Sequence, residues 1–431
     1  MLQSNGASLY QVANHDLGMN LLETVGGSSA QRPRGCSFGQ FSRAVGSVVV
    51  MRINPVLKKI GTYPMAVIQD RARAMREAGV ALIDFSIGDP REPTPPFIPQ
   101  ALRDAVPEIS QYPTSRGLQV LREAIAGYVL RRFGREVDPD TQVLPTTGSK
   151  EAIFSTPFAF VDSRREDVVI WPTPGYPVYG RGALLAGAIG HPVRLGEDFI
   201  LRASDVPDQV WARAVLAWTN SPHNPAGSVM GRSDIRSLYQ KCQEFGVLLC
   251  ADECYVDLYE DDPPASVLEV ADPGLVGAVT YLSLSKRSGM TGYRSAAMVG
   301  DAQAIRALTS LRTSTGTAPP EFTQMAAVAA WSDDTHVVER RRIFAEKRAI
   351  LRKAFGAMGY KTVASTAGLY LWVEVGDDIE TTTRLLERGV VVSAGRAFGA
   401  GGEGYIRLAL VPSPEECKQA VEVLEECLTR M

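Results

Sequence analysis

Several features that often announce a function are scarce in this chain of 431 residues. No apolar run approaches the roughly 20 residues that a helix needs to cross a bilayer. Neither sign of charge dominates: 45 Lys and Arg against 48 Asp and Glu leave a formal net charge of −3. A nucleic acid or an anionic membrane surface is therefore not the expected partner. The six cysteines (Cys36, Cys242, Cys250, Cys254, Cys417 and Cys427) are scattered and form no CxxC pair. That argues against a disulfide framework and suits a reducing, cytoplasmic setting. Only four histidines are present, too few to suggest a zinc centre, and no metal is expected. No GxGxxG follows the first strand with an acid downstream, so the dinucleotide signature of a dehydrogenase is missing.

What is present is the material of a large core. Hydrophobic residues make up 45% of the sequence, enough for two domains. Residues 1–50 stand apart: they are rich in Gly, Ser, Asn and Gln and lack the compact apolar stretch of a signal peptide. They read as a disordered extension, or as a start placed too early with Met51 the true first residue; a transit peptide is a third reading. A helix is expected over Pro64–Gly79, a strand running into a turn over 81–90, and a helix over Leu118–Phe133 stopped by Gly134. The strands TQVLPTTG, DVVIWPTPGYP, AVLAWTNSPHNPAG, VLLCADECY and AVTYLSLSK then alternate with the helices SKEAIFSTPFAFV, GRGALLAGA and RSDIRSLYQKCQEFG. Such strands predict an α/β fold with a mostly parallel central sheet and helices on both faces. Beyond residue 320 a long charged helix precedes GLYLWVEV and YIRLALV, which predicts a smaller α+β domain. The expected divisions are an N-terminal arm with part of the small domain over 51–95, a large domain over 96–320 and the small domain over 321–431.

In parallel sheets, sites gather at the carboxyl ends of strands, and the chemistry-bearing motifs of this chain fall there. Lys286 ends the apolar strand YLSLS. Partial desolvation, with the cations Arg287 and Arg294 nearby, lowers the pKa of such a lysine and frees its amine to attack a carbonyl. Ser283, Ser285 and Arg294 offer two hydroxyls and a guanidinium, a set suited to a phosphate dianion. TTGSKEA turns from strand to helix and leaves the N–H groups of Ser149 and Lys150 for an anion. Asp252, at the end of VLLCAD, needs a partner if buried, and a protonated ring nitrogen is one. Tyr255 and Asn224 are placed to reach a ring hydroxyl, and Tyr176 in PGYPVY to stack on a flat ring. Pyridoxal phosphate (PLP), a phosphorylated pyridine aldehyde, answers all of these together. Singly, each has an ordinary explanation: a surface lysine, a salt-bridged arginine, a serine N-cap, a paired aspartate, a simple NPAG turn, a packed tyrosine.

In their order and spacing, SIGDPREPTP, YPTSRGLQVLREAI, TTGSKEA, PGYPVY, SPHNPAG, ADECY, SLSKRSGMTGYR and YIRLAL resemble the motifs of class I/II aminotransferases of PLP fold type I, from Ile53 to Thr429. The resemblance implies that Lys286 forms the Schiff base with the cofactor and shuttles the substrate's α-proton, Asp252 holds the ring nitrogen, and Asn224 and Tyr255 hold the ring oxygen. It implies that Tyr176 stacks and that Ser149, Lys150 (through its backbone), Ser283, Ser285 and Arg294 hold the phosphate. Tyr112 in QYPTSRG matches a tyrosine that reaches the phosphate of the neighbouring subunit, which implies a homodimer. Arg407 matches the arginine that grips the substrate α-carboxylate, with the backbone of Gly88 beside it.

Within the family the chain most resembles N-succinyldiaminopimelate aminotransferases of bacterial lysine biosynthesis, through NPVLKKIGTYPM, DECY with its acidic sequel LYEDD, and AAWSDDTHVVERRRIFAEK. That implies a ping-pong exchange between N-succinyl-LL-2,6-diaminopimelate and 2-oxoglutarate, giving the 6-oxo acid and glutamate. A substrate with distal carboxylates calls for cations beyond Arg407, and Arg396, Arg116 and Arg287 are the candidates. The alternatives are an aminotransferase for aspartate, alanine, aromatic amino acids or LL-diaminopimelate, a β-lyase on the same fold, or a binding module that retains the fold.

Overall fold

The computed structural model describes residues 51–60, 66–363 and 367–428. The reading of 1–50 lies outside the described residues, as does the start of the helix expected from Pro64, whose described part is Ala66–Glu77. The chain divides into Met1–Ile53 and Asn54–Met431, and everything below concerns the second unit.

The central sheet has seven strands: β1 (Val143–Thr146), β2 (Val168–Thr173), β3 (Ile189–Arg194), β4 (Ala214–Asn220), β5 (Leu248–Asp252), β6 (Ala278–Ser283) and β7 (Ala296–Gly300). Their order in space is β1-β7-β6-β5-β4-β2-β3. Neighbours run parallel except at β7, which is antiparallel to both β1 and β6. Successive side chains enter opposite layers. Leu216, Trp218, Leu248 and Cys250 pack on one face, whereas Ala217, Leu249 and Ala251 pack on the other. That two-sided burial explains why these strands are apolar throughout.

The covering helices obey local signals. Gln119–Phe133 ends at Gly134 as expected, and Asp301 caps Ala302–Thr315 by accepting from Gln303 N and Ala304 N. Two expectations change. SKEAIFSTPFAFV is two helices, Ser149–Ser155 and Pro157–Phe160, because Pro157 has no N–H to continue the first. The helix expected in GRGALLAGA begins earlier, at Val178, which carries Tyr179 into its first turn.

A second sheet has the strands β8 (Thr362–Val363), β9 (Tyr370–Glu374), β10 (Ser393–Ala394) and β11 (Tyr405–Ala409) in the antiparallel order β10-β11-β9-β8. The helices Thr335–Ala357 and Pro414–Leu428 share a core with it that includes Phe344, Leu351, Leu371, Leu408 and Leu424. The strand expected over 81–90 shrinks to Ile83–Asp84, which pairs with Val390–Val391. The architecture is α/β, a mostly parallel sheet between helices with a smaller antiparallel sheet beside it.

Candidate active site

The carboxyl ends of β4, β5 and β6 lie level, with Asn220 opposite Asp252 and Asp252 opposite Tyr281. A cavity of about 670 Å³ opens beside them, a size usual for small-molecule sites. Its lining includes Lys286, Asp252, Asn224, Tyr255, Tyr176, Ser149, Lys150, Ser283, Ser285, Arg294, Gly88 and Arg407. The structure therefore brings together all the candidate residues except Tyr112 and the three arginines proposed for a distal carboxylate, Arg116, Arg287 and Arg396.

At the end of β6 the Ser283 hydroxyl accepts from Ser285 N at 3.2 Å and starts a single helical turn, Leu284–Arg287. That turn presents Lys286, whose Nζ donates to Gly88 O. Burial pushes the Lys286 amine down to about 8; Asp89 and Cys254 oppose this, and the cations Arg294 and Arg407 add to it. Arg287 does not share in it. Its Nε donates to Asp257 at 2.8 Å and its Nη2 pairs with Asp334.

Asp252 is buried, and burial raises its carboxyl pKa. The Tyr179 hydroxyl donates to its Oδ2 at 2.7 Å and Cys254 N to its Oδ1 at 3.3 Å. Tyr179 in turn stacks on Trp218 and meets Tyr176 edge-on at 5.7 Å. The Tyr255 and Tyr370 hydroxyls lie 2.9 Å apart.

At the end of the cavity beside the Ser149 helix start, Gly148 holds a φ of 92°, and a Cβ there would collide with the Arg294 guanidinium. Arg294 itself sits at φ 55°, in the left-handed region that disfavours side-chain-bearing residues. Local strain of this kind persists where the surroundings enforce it, commonly at ligand sites. Its Nη1 donates to Thr291 O at 2.9 Å; among the described residues the guanidinium makes no other hydrogen bond.

At the opposite end, Arg407 on β11 donates from Nη1 to Asn224 Oδ1 at 3.0 Å and from Nη2 to Ser86 O at 2.6 Å. It is sandwiched by Tyr370 and Phe398, 4.3 and 4.5 Å from their ring centres. Its Nε is buried and makes no hydrogen bond among the described residues. Such an orphan donor suits a carboxylate. A Cβ on Gly88 would lie 2.5 Å from the Tyr370 hydroxyl, so any side chain there would have to displace that ring.

These features fit the cofactor. A buried acid fixed by a tyrosine, an amine lowered by burial, and a strained arginine with serine hydroxyls beside a helix start answer its ring nitrogen, aldehyde and phosphate.

The cations proposed for a distal carboxylate are placed otherwise. Arg396 donates to Asp378 from Nε and Nη2 at 2.7–3.1 Å, because fully buried Asp378 requires a counter-charge. Arg116 bonds to Asp140 O and Arg287 lies beneath the site. None of the three lines the cavity. Tyr112 is fully exposed, away from its own chain's cavity.

Four residues of the site escaped the sequence reading: Tyr179, Tyr370, Ser86 and Phe398. Tyr179 had a signal, since it is the last residue of PGYPVY, three residues after Tyr176, whose backbone oxygen accepts from its N–H. Ser86 had one too, since it opens SIGDPREPTP two residues before Gly88; Tyr370 and Phe398 come from segments that only the fold brings close.

The sequence profile for aminotransferase class I and II matches residues 80–424. LL-diaminopimelate aminotransferase 2 of a Nostoc species is 36% identical over 382 residues, covering 86% of this chain and 97% of that protein. A solved structure described as a probable N-succinyldiaminopimelate aminotransferase from Thermus thermophilus superposes with a TM-score of 0.79 at 29% identity, covering 85% of this chain and 100% of that one. Aspartate aminotransferase from Thermus thermophilus superposes with a TM-score of 0.81 at 26% identity, covering 88% and 100%. The chain belongs to the class I and II aminotransferases, transaminases of amino and keto acids that work with pyridoxal phosphate.

Proposed function

We propose that the amino donor is LL-diaminopimelate and the acceptor 2-oxoglutarate. The observation that carries this is the 36% identity to the Nostoc protein over 86% of the chain; Arg116, Arg287 and Arg396 are engaged outside the cavity, so none of them is at hand for the additional carboxylate that a succinyl group brings. The name of the Nostoc relative supports an unacylated donor. The Thermus neighbour favours a second reading, with the N-succinyl compound as donor.

In either reading the chain's own groups have distinct tasks. Arg407 binds the α-carboxylate and so turns the Cα–H bond toward Lys286. Asp252 would hold the ring nitrogen, and Tyr179 fixes that carboxylate. Asn224 and Tyr255 would hold the ring oxygen; Arg294, Ser283, Ser285, Ser149 and the Lys150 backbone would hold the phosphate, with Tyr176 against the ring. When bound, pyridoxal phosphate draws electron density from the substrate α-carbon and acidifies its proton. The Lys286 Nζ takes that proton and returns it, a role suited to an amine lowered to about 8. The reading includes a homodimer in which Tyr112 serves the neighbouring subunit; its full exposure beside exposed Val106 and Ile109 supports this.

The test is a panel of donors with 2-oxoglutarate: LL-diaminopimelate, its N-succinyl derivative, aspartate, alanine, an aromatic amino acid and a cysteine-type donor. The expected result is glutamate formation with kcat/KM for LL-diaminopimelate at least about tenfold above the succinylated donor. An unblocked distal amine closes on the new carbonyl, so the product's mass falls by one water, whereas a succinylated product stays open. Preference for the succinylated donor reverses the assignment. Pyruvate released without a keto acid acceptor points to a β-lyase.

A further inference from the structure

The helix Thr335–Ala357 touches both working ends of the site from behind. Arg340 Nε donates to the backbone oxygen of Lys286 at 3.3 Å. Seven residues on, and so on the same helical face, Lys347 Nζ donates to Leu410 O and Val411 O at 3.2 and 3.3 Å. Those carbonyls directly follow β11, the strand that carries Arg407. Between the two cations lies Glu92, bonded to Lys347 and 3.9 Å from Arg340. Glu92 belongs to the segment that also presents Gly88, and Thr94 on that segment donates to Gly289 O at 2.7 Å.

We propose that Arg340 and Lys347, joined through Glu92, are positioning residues that set the separation between Lys286 and Arg407. A helix is stiff over two turns, so anchoring the lysine's backbone and the end of the arginine's strand to one face fixes the gap across which the α-proton moves. The side chains of Arg340 and Lys347 are only 4% and 0% exposed, and an ion pair so buried is a poor source of stability. The cluster also carries one cation more than its single acid balances, and Glu92 Oε2 and Arg340 Nη2 make no hydrogen bond among the described residues. A group designed for stability alone would be matched in charge and fully bonded. The proposal concerns proton transfer in any amino-acid substrate and does not depend on the identity of the donor.

The test uses the full chain loaded with its cofactor and glutamate as substrate. Arg340→Gln removes the surplus cation and leaves Glu92 paired with Lys347, so the melting temperature of the cofactor-free protein should stay near the parent's. The single-turnover rate with glutamate should fall between about 10- and 100-fold, the scale of a catalytic group displaced by about an ångström. The isotope effect with α-deuterated glutamate should grow. Affinity for α-methylglutamate, which has no α-proton, should change less than about twofold, because Arg407 remains. A parental rate in folded Arg340→Gln protein overturns the proposal, as does a rate loss matched by an equal loss of α-methylglutamate affinity. If the neutral variant fails to fold, Arg340→Lys keeps the buried charge without the Nε donor. The same rate loss there supports the proposal and a parental rate overturns it.

Discussion

In the proposed reading Arg407 divides its guanidinium between scaffold and substrate. Nη1 and Nη2 are held by Asn224 and Ser86, and Nε is left over. A lysine presents one ammonium and cannot satisfy both scaffold acceptors while meeting a carboxylate in a fork. Arg407→Lys should therefore raise KM for glutamate at least about tenfold, with a smaller effect on kcat. Steady-state kinetics would show the split; an unchanged KM would remove Arg407 from carboxylate binding. Lys286 carries a cost of a different kind. Its amine titrates near 8 in the folded chain against 10.5 for an ordinary lysine, because burial disfavours the charged form. Between those values the unfolded chain holds a proton that the folded chain has lost, so this group makes stability rise with pH across the window. Below about 8 the penalty is fully present. Lys286→Met should thus abolish transamination yet raise the melting temperature of the cofactor-free protein at neutral pH, with the gain shrinking as pH climbs. A melting temperature lower than the parent's at neutral pH would contradict this account of the amine.

At the level of elements, legibility followed locality. The helix over Leu118–Phe133, its stop at Gly134 and the apolar strands β4 to β6 were readable because cap residues and side-chain alternation act within a few positions. Most of the twelve candidate residues in the cavity were readable because they sit at a strand end, a helix start or a turn; Arg407, in the middle of β11, and Gly88 came from the family resemblance alone. What failed were pairings across distance. Arg287 finds Asp334 47 residues away and Arg396 finds Asp378 18 residues away. Neither separation is the three or four residues that make neighbours on one helix, so no spacing rule exposed those acids as partners. Glu253 shows the same limit. It lies beside Asp252 in ADECY, yet it accepts from Ser266 Oγ at 2.5 Å and from Val267 N at 2.8 Å, at the start of the short helix Val267–Val270. Burial pushes its carboxyl up to about 8 from 4.5. Between those values the folded chain holds a proton that the unfolded chain has released, so its contribution to stability falls as pH rises through the window. Glu253→Gln stays neutral and keeps an acceptor for Val267 N. Its melting temperature should exceed the parent's near pH 8 and converge with it near pH 4.5. An equal shift at both pH values would place the effect in packing rather than in ionisation.

On the scale of the whole molecule, the site is assembled from two sheets. β4 to β6 lead to Asn224, Asp252 and Lys286, while β11 supplies Arg407, and the Asn224–Arg407 hydrogen bond joins them. The homodimer would add a third source. Tyr112 is 100% exposed, an unusual position for a tyrosine, while the other residues matched to cofactor contacts line the cavity. If its hydroxyl serves the neighbouring subunit, a two-fold dimer must exchange the residue reciprocally. Complementation distinguishes this from a surface role. A Lys286→Ala chain lacks the amine but keeps Tyr112, and a Tyr112→Ala chain has the amine but should bind cofactor weakly. In a mixed dimer one site has the amine together with the partner's tyrosine. Random pairing makes about half of the dimers mixed, each with one repaired site, so about a quarter of parental activity should return at limiting cofactor. Full activity in Tyr112→Ala alone, no gain on mixing, or a monomer by sedimentation at assay concentration would each sink the shared site.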